Sequence, residues 1–310
     1  MYYFDAKKEG ALYPVGVEKA NAKQIIYLHK GTKGNKQKYN FSYTDYETLI
    51  NSNGIKGRNK QFILKKLEEA YFKDLDTSNM ELEDDNFKAL YRTVKENEDK
   101  KSKYVAHGKI IPLLKPDWFN VVYINGASGA GKSKIAVRMI NEYKKSHKKA
   151  NVYLISKKDS DKMIDQIKGI NRIDVESFSE DPIDVSEFES RDVIIFDDFE
   201  GYQTNKVLFK QIIGLMNDLM TMGRTKLLQV FIITHLPTFG RDSSLIFQEM
   251  TYAIIYPTSC SYHSLKFLLK DKIGLDTQQI NVIKSMRSKY VVINKTFPRY
   301  VISGDEIELL

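Results

Sequence analysis

Seventeen consecutive residues, VVYINGASGAGKSKIAV from Val121 to Val137, narrow the folds open to this chain more than any other segment. An apolar run, a glycine-rich loop and a helical pattern follow one another without a gap. The loop comprises Gly126, Ala127, Ser128, Gly129, Ala130, Gly131, Lys132 and Ser133, with the spacing G-x-x-x-x-G-K-[ST]. Glycine lacks a Cβ, so main-chain N–H groups of such a loop approach phosphate oxygens closely and adopt positive φ. The helix that follows, marked by Ile135, Ala136, Met139 and Ile140, turns its positive end toward the same anion. The pattern assigns Lys132 to the β- and γ-phosphates of ATP and Ser133 to the accompanying Mg2+. An ordinary glycine turn would need neither the strand before it nor the helix after it.

From Ala106 onward, short apolar runs alternate with helical stretches. Strands are expected at Phe119–Ile124, Asn151–Ile155, Asp192–Phe196, Gln229–Thr234 and Tyr252–Tyr256, and helices at Ser133–Lys145, Asp159–Ile167 and Asn205–Met222. Strand runs that are apolar without alternation suit parallel strands buried on both faces. The rhythm predicts an α/β domain over residues 106–310 with a mainly parallel central sheet, whose ligands bind at the carboxyl ends of the strands. The tail Tyr290–Ile302 reads as a hairpin-like pair of extended segments.

Residues 1–105 read as a smaller N-terminal mixed α/β accessory region. Short strands are expected at Gln24–His29 and Asn40–Tyr43, an amphipathic helix at Arg58–Leu75 and a second helix at Leu82–Val94. The charged stretch Lys95–Lys103, a linker or exposed helix end, marks the boundary. The basic clusters Lys30–Lys38 and Lys56–Lys66 read either as solvated lysine faces or as contacts to DNA.

Two further strand ends carry chemistry. Val193–Phe196 is an apolar run that ends in Asp197 and Asp198. Alone it describes a strand meeting a solvated turn; downstream of a phosphate loop it delivers carboxylates to a nucleotide. Asp197 is assigned to Mg2+, a hard ion that prefers oxygen. Asp198 is assigned to the attacking water, with Glu200 as the alternative base. Phe231–Ile233 ends in Thr234 and His235. If this strand lies between the other two, that pair sits near the γ-phosphate; otherwise it starts a helix on a surface loop. His235 has no His or Cys partner at metal spacing. Arg224 and Arg241 flank the strand. Either reads as an arginine reaching a neighbour's γ-phosphate, as a DNA-backbone contact or as a surface residue, and Arg224 is preferred.

The formal net charge of +8 favours polyanionic partners. No apolar run approaches the ~20 residues that cross a bilayer, and the N-terminus carries no signal-peptide core. A single cysteine, Cys260, forms no internal disulfide. A soluble protein of a reducing compartment is expected.

The stretches YINGASGAGKS, VIIFDDFEG, MGRTK, FIITH and YVVINKTFPRYVISGDEI, in this order, resemble the DNA-packaging ATPases of large nucleocytoplasmic DNA viruses, members of the FtsK–HerA group of P-loop translocases. The resemblance covers roughly the last 200 residues. It implies a RecA-like P-loop NTPase with Walker A and Walker B motifs, assembled as a homo-oligomeric ring. That ring would hydrolyse ATP with Mg2+ to drive double-stranded DNA into a preformed capsid, with a capsid or portal-vertex protein as partner and the virus factory or virion as its place. Two positions depart from the family pattern: His235 stands where glutamine is usual, and Thr225 where histidine follows the GR pair. The competing readings are a helicase or helicase loader, a small-molecule kinase, and a non-catalytic nucleotide-binding assembly factor.

Overall fold

The computed structural model describes residues 2–19, 24–30, 46, 49–51, 58–72, 75, 80, 85–100, 103–180, 182–238, 243–286 and 288–310. The chain begins with strands β1 (Tyr2–Asp5), β2 (Ala11–Lys19) and β3 (Gln24–Lys30), then helices α1 (Arg58–Phe72) and α2 (Asp85–Lys100). Strands β4 (Lys103–Val105), β5 (Lys109–Pro112) and β6 (Asn120–Asn125) lead into helix α3 (Lys132–Ser146). Then come β7 (Val152–Ser156), β8 (Ile170–Arg172), β9 (Val193–Asp197), α4 (Lys206–Met222) and β10 (Gln229–Thr234). The chain closes with α5 (Ser244–Glu249), β11 (Tyr252–Ile255), α6 (Tyr262–Phe267), α7 (Thr277–Ser285), β12 (Val291–Asn294), β13 (Tyr300–Ile302) and β14 (Glu306–Leu309).

Ten strands form one sheet in the order β4-β14-β13-β12-β11-β6-β10-β9-β7-β8. From β11 to β8 every pairing is parallel; β12, β13, β14 and β4 add an antiparallel wing. The parallel centre follows from composition: every residue of β6, β9 and β10 is buried, as strands covered on both faces require. Side chains alternate between two cores. Val121, Tyr123, Ile194, Phe196, Val230 and Ile232 face one side, under α4 and α5. Val122, Ile124, Val193, Ile195, Phe231 and Ile233 face the other, against α3. Polar residues at the strand starts are satisfied within the protein: Asn120 donates to the Gln229 side chain at 2.8 Å and to the Lys115 carbonyl at 2.9 Å.

Strand β10 lies between β6 and β9, the arrangement that brings Thr234 and His235 toward the phosphate loop. The wing contains the expected C-terminal pair, with β12 and β13 antiparallel. The helix expected at Asp159–Ile167 reduces to a single tight turn at Ile164–Gln166. Asp161 accepts hydrogen bonds from the Met163 and Ile164 N–H groups at 2.8 and 2.9 Å, and Asp165 accepts from Asp161 N–H at 2.7 Å. Those short side chains offer the backbone an alternative to helix.

Strand pairings cross residue 105. A second sheet, β1-β3-β2-β5, is completed by β5, and Phe4, Val15, Ile26 and Leu28 are buried in the same core as Ile124 and Ile135. Helices α1 and α2 instead share a separate core of Leu64, Leu67, Tyr71, Phe87, Leu90 and Tyr91. Helix α2 runs through much of the expected charged boundary. The strand expected at Asn40–Tyr43 and all of the first basic cluster after Lys30 lie outside the described residues.

Candidate nucleotide site

Residues 126–131 leave β6 and enter α3 through two left-handed glycines, Gly129 at φ 72° and Gly131 at φ 107°. Gly131 caps α3 without any side-chain hydrogen bond to the first turn. The free N–H groups of a fifteen-residue helix therefore point out of its start, where an anion is favoured. Gly126 is needed for another reason: a Cβ there would lie 2.9 Å from Tyr256 Cδ2. Tyr256 follows β11 and walls the loop, and the Ala127 N–H donates to Ser259 Oγ at 3.2 Å.

Lys132 is the first residue of α3 and is buried. Its ammonium donates to the carbonyls of Gly126 at 2.8 Å and Ala127 at 3.1 Å, and lies 3.1 Å from His235 Nδ1. Burial pulls its pKa down, while the carboxylates of Asp197, Asp198 and Glu200 pull it back up. The acids thus share the electrostatic field of the loop lysine.

Sheet register explains why. Ile233 is level with Ile124 on one side and with Asp197 on the other. Asp197 therefore stands two strand spacings, about 10 Å, from the strand that launches the loop. It is 2% exposed, and its Oδ2 has no hydrogen-bond partner among the described residues. Burial, with the Asp198 charge beside it, pushes its carboxyl up to about 7. A buried, unpartnered carboxylate oxygen with raised basicity fits a hard cation or its water shell. Ser133, in the first turn of α3, and Asp197 are the residues that would hold Mg2+.

Asp198 adopts a left-handed conformation at φ 50° and starts a tight turn over Phe199–Tyr202. Its Oδ1 accepts from His235 Nε2 at 2.7 Å, and its Oδ2 pairs with the Lys158 ammonium. Burial raises the Asp198 carboxyl, but Lys158 and His235 together hold it below the ordinary carboxylate range. The turn folds Glu200 back over the strand ends. Glu200 Oε1 accepts from the Thr234 hydroxyl and from the His235 N–H at 3.1 Å, while Oε2 is buried with no partner among the described residues. Thr234 is level with Asn125, the residue before the loop. Lys132, Asp197, Asp198, Glu200, Thr234 and His235 thus converge on the carboxyl edge of the sheet.

Arg224 does not join them. It precedes β10, at the opposite end of a strand about 20 Å long, and pairs with Glu249 at 3.1 Å. Arg241 lies outside the described residues. The structure also brings Lys158, Tyr256 and Ser259 to the site, none of which the motif assignments include. Lys158 follows an apolar strand as one of two adjacent lysines, a signal parallel to the paired acids after β9. On the far flank of the loop, a cleft of about 380 Å³ is lined by Gly131, Lys134, Arg138, Tyr256, Lys289 and Tyr290.

No known family profile matches the chain. An uncharacterized protein V3 of Sputnik virophage is 28% identical over 224 residues, covering 69% of this chain and 86% of the virophage protein. Among solved structures, B204, the DNA-packaging ATPase of Sulfolobus turreted icosahedral virus, is similar at 13% identity with a TM-score of 0.42. That match covers 62% of this chain and 98% of B204. The genome-packaging NTPase B204 of Sulfolobus turreted icosahedral virus 2 with bound AMP has 13% identity and a TM-score of 0.36, over 57% of this chain and 94% of that one. EssC (ATPases 2 and 3) of Geobacillus thermodenitrificans has 11% identity and a TM-score of 0.37, over 67% of this chain and 43% of EssC. The strand–loop–helix at 120–146, the parallel centre of the sheet and the insertion of β10 between β6 and β9 give this chain the mixed α/β fold of a P-loop NTPase.

Proposed function

We propose that this protein is a Mg2+-dependent ATPase that translocates double-stranded DNA and packages a viral genome into a preformed capsid. One observation carries the ATPase part: Thr234, one strand from the phosphate loop, hydrogen-bonds Glu200, while His235 spans Lys132 and Asp198. In this reading the N–H groups of residues 126–133 cradle the triphosphate and Lys132 swings from the loop carbonyls to the β- and γ-phosphates. Mg2+, held by Ser133 and Asp197, would neutralise charge on the phosphate oxygens. The cleft beside Tyr256 and Tyr290 takes the nucleoside end.

Glu200 is the better water-orienting base. Both oxygens of Asp198 are engaged by cationic or N–H partners, which lowers its capacity to take a proton, whereas Glu200 Oε2 has no partner among the described residues. Asp198 then acts as the strut that holds His235. Thr234 and His235 face the γ-phosphate.

The DNA part rests on the order and spacing of the five motif stretches, which resemble viral packaging translocases, and on the net charge of +8. A motor that releases DNA at every step needs sequence-neutral, electrostatic contact. In a homo-oligomeric ring, Arg224 at the far edge of the sheet would serve a neighbour's site, and helices α1 and α2 would form the accessory unit that meets a capsid or portal protein.

The test is ATP turnover with and without duplex DNA. Stimulation by duplex that declines with salt supports the reading. Turnover that is indifferent to any nucleic acid removes translocation and leaves a bare ATPase. Stimulation by single strands alone turns the reading to a helicase.

A further inference from the structure

We propose that Lys158 is a positioning residue of the hydrolytic site, acting through Asp198 and His235; the proposal rests on the ATPase reading above. Lys158 lies two residues beyond β7, on the side of β9 away from the phosphate loop. Its ammonium pairs with Asp198 Oδ2, and the other oxygen of that carboxylate accepts from His235 Nε2 at 2.7 Å. The opposite ring nitrogen, Nδ1, lies 3.1 Å from the Lys132 ammonium. An ammonium only donates, so Nδ1 accepts and the ring proton resides on Nε2, facing Asp198. A single tautomer satisfies both ends. Lys158, Asp198, His235 and Lys132 therefore form one line of charge-assisted hydrogen bonds from the β7 end to the phosphate loop.

A second, separate contact gives the same stretch of chain the same role. The neighbouring Lys157 ammonium donates to the Gly201 carbonyl, and its stem covers Gly201 so closely that a Cβ there would lie 2.6 Å from Lys157 Cδ. The Lys157 ammonium also lies 5.7 Å from the centre of the Tyr202 ring. The two lysines thus clamp both ends of the turn at 198–202 that carries Glu200. Lys158 fixes the direction of the Asp198 carboxylate. Without it, that carboxylate keeps one partner and can rotate, and the Nε2–H of His235 loses its fixed acceptor. The phosphates would still be held by loop amides and Lys132. Removing Lys158 should therefore impair turnover and spare binding.

The test uses the full chain with Lys158→Met, which keeps the stem, and Lys158→Arg, which keeps the charge. The Met variant should lose between about 10- and 100-fold in kcat, the scale of losing orientation. Its KM for MgATP should stay within about twofold, and Arg should recover most of kcat. A Met variant with wild-type kcat overturns the proposal, as does an Arg variant no better than Met. A readout independent of turnover is the 15N spectrum of the His235 ring without nucleotide. It should show the Nε2-protonated tautomer in the wild type and a shifted Nε2 resonance in Lys158→Met, as the hydrogen bond to Asp198 loosens. An Nδ1-protonated wild-type ring, or a spectrum unchanged by the substitution, overturns the proposal. If the wild type hydrolyses no ATP, the ATPase reading fails by itself, and the ring spectrum still decides the role of Lys158.

Discussion

Replacing Asp197 with asparagine should stabilise the protein at alkaline pH and remove a specific part of its pH dependence. Asp197 is 2% exposed, has an unpartnered oxygen, and its carboxyl is pushed from 3.8 to about 7, first by burial and then by Asp198. A carboxyl whose folded pKa is raised binds protons more tightly in the folded state. Its contribution to stability is complete below the unfolded value and is lost as pH rises through about 7. Three units at about 1.4 kcal/mol each amount to ~4 kcal/mol over the whole range. Between about pH 5 and about pH 8 the loss is ~2.5 kcal/mol, because part of it has already occurred by pH 5. Asparagine does not titrate. The stability difference between variant and wild type should therefore grow in the variant's favour by ~2.5 kcal/mol across that interval. An amide nitrogen at the unpartnered position offsets ~1–2 kcal/mol of the absolute gain at every pH, but leaves the change with pH intact. Urea unfolding of both proteins with EDTA and without nucleotide measures this directly. Parallel curves from pH 5 to pH 8, to within about 0.5 kcal/mol, would show that Asp197 is not a strained buried carboxylate, and its assignment to the cation would lose its physical basis.

Other outcomes follow from single groups. Lys115 is 6% exposed and burial lowers its pKa to about 8; stability owed to this group is present at high pH and lost as pH falls through about 8, so Lys115→Met should raise the urea midpoint at pH 7 and gain less near pH 10. Gly126→Ala should weaken nucleotide binding, read as fluorescent-ATP affinity, because the new methyl collides with the Tyr256 ring; wild-type affinity would contradict the close approach. In the proposed ring, Arg224→Ala mixed with wild-type chains should depress ATPase activity beyond its mole fraction; proportional loss would assign it to the Glu249 ion pair alone.

The sheet and its loop were legible because the signal was local. The apolar runs that precede Gly126, Asp198 and His235 could only be strands buried on both faces, and each appears within a residue or two of its expected bounds. The Asp159–Ile167 stretch misled because apolar spacing was weighed without the capping capacity of Asp161 and Asp165. The strands β1, β2, β4, β5, β8 and β14 were not expected; β4 and β5 in particular pair with partners remote in sequence, β4 with β14 some two hundred positions away. Within the site, the motif put Asp198 ahead of Glu200 as the base, an order that the reading proposed above reverses. Their difference lies in which oxygens are occupied, and that depends on Lys158 and Thr234, contributed by other strands. Lys158 carried only the local signal of a lysine pair after an apolar strand, and its partner Asp198 comes from another strand.

In the proposed ATPase, the loop at 126–133 and the acids at the carboxyl end of β9 serve one bound triphosphate. The most direct measurement of this compares ATP binding and turnover in the wild type, Lys132→Ala and Glu200→Gln. Lys132→Ala should lose binding, and Glu200→Gln should bind MgATP as the wild type does while turnover falls by about 10²–10⁴-fold. Full turnover in Glu200→Gln and Asp198→Asn alike would contradict it, because neither acid would then be facing the nucleotide.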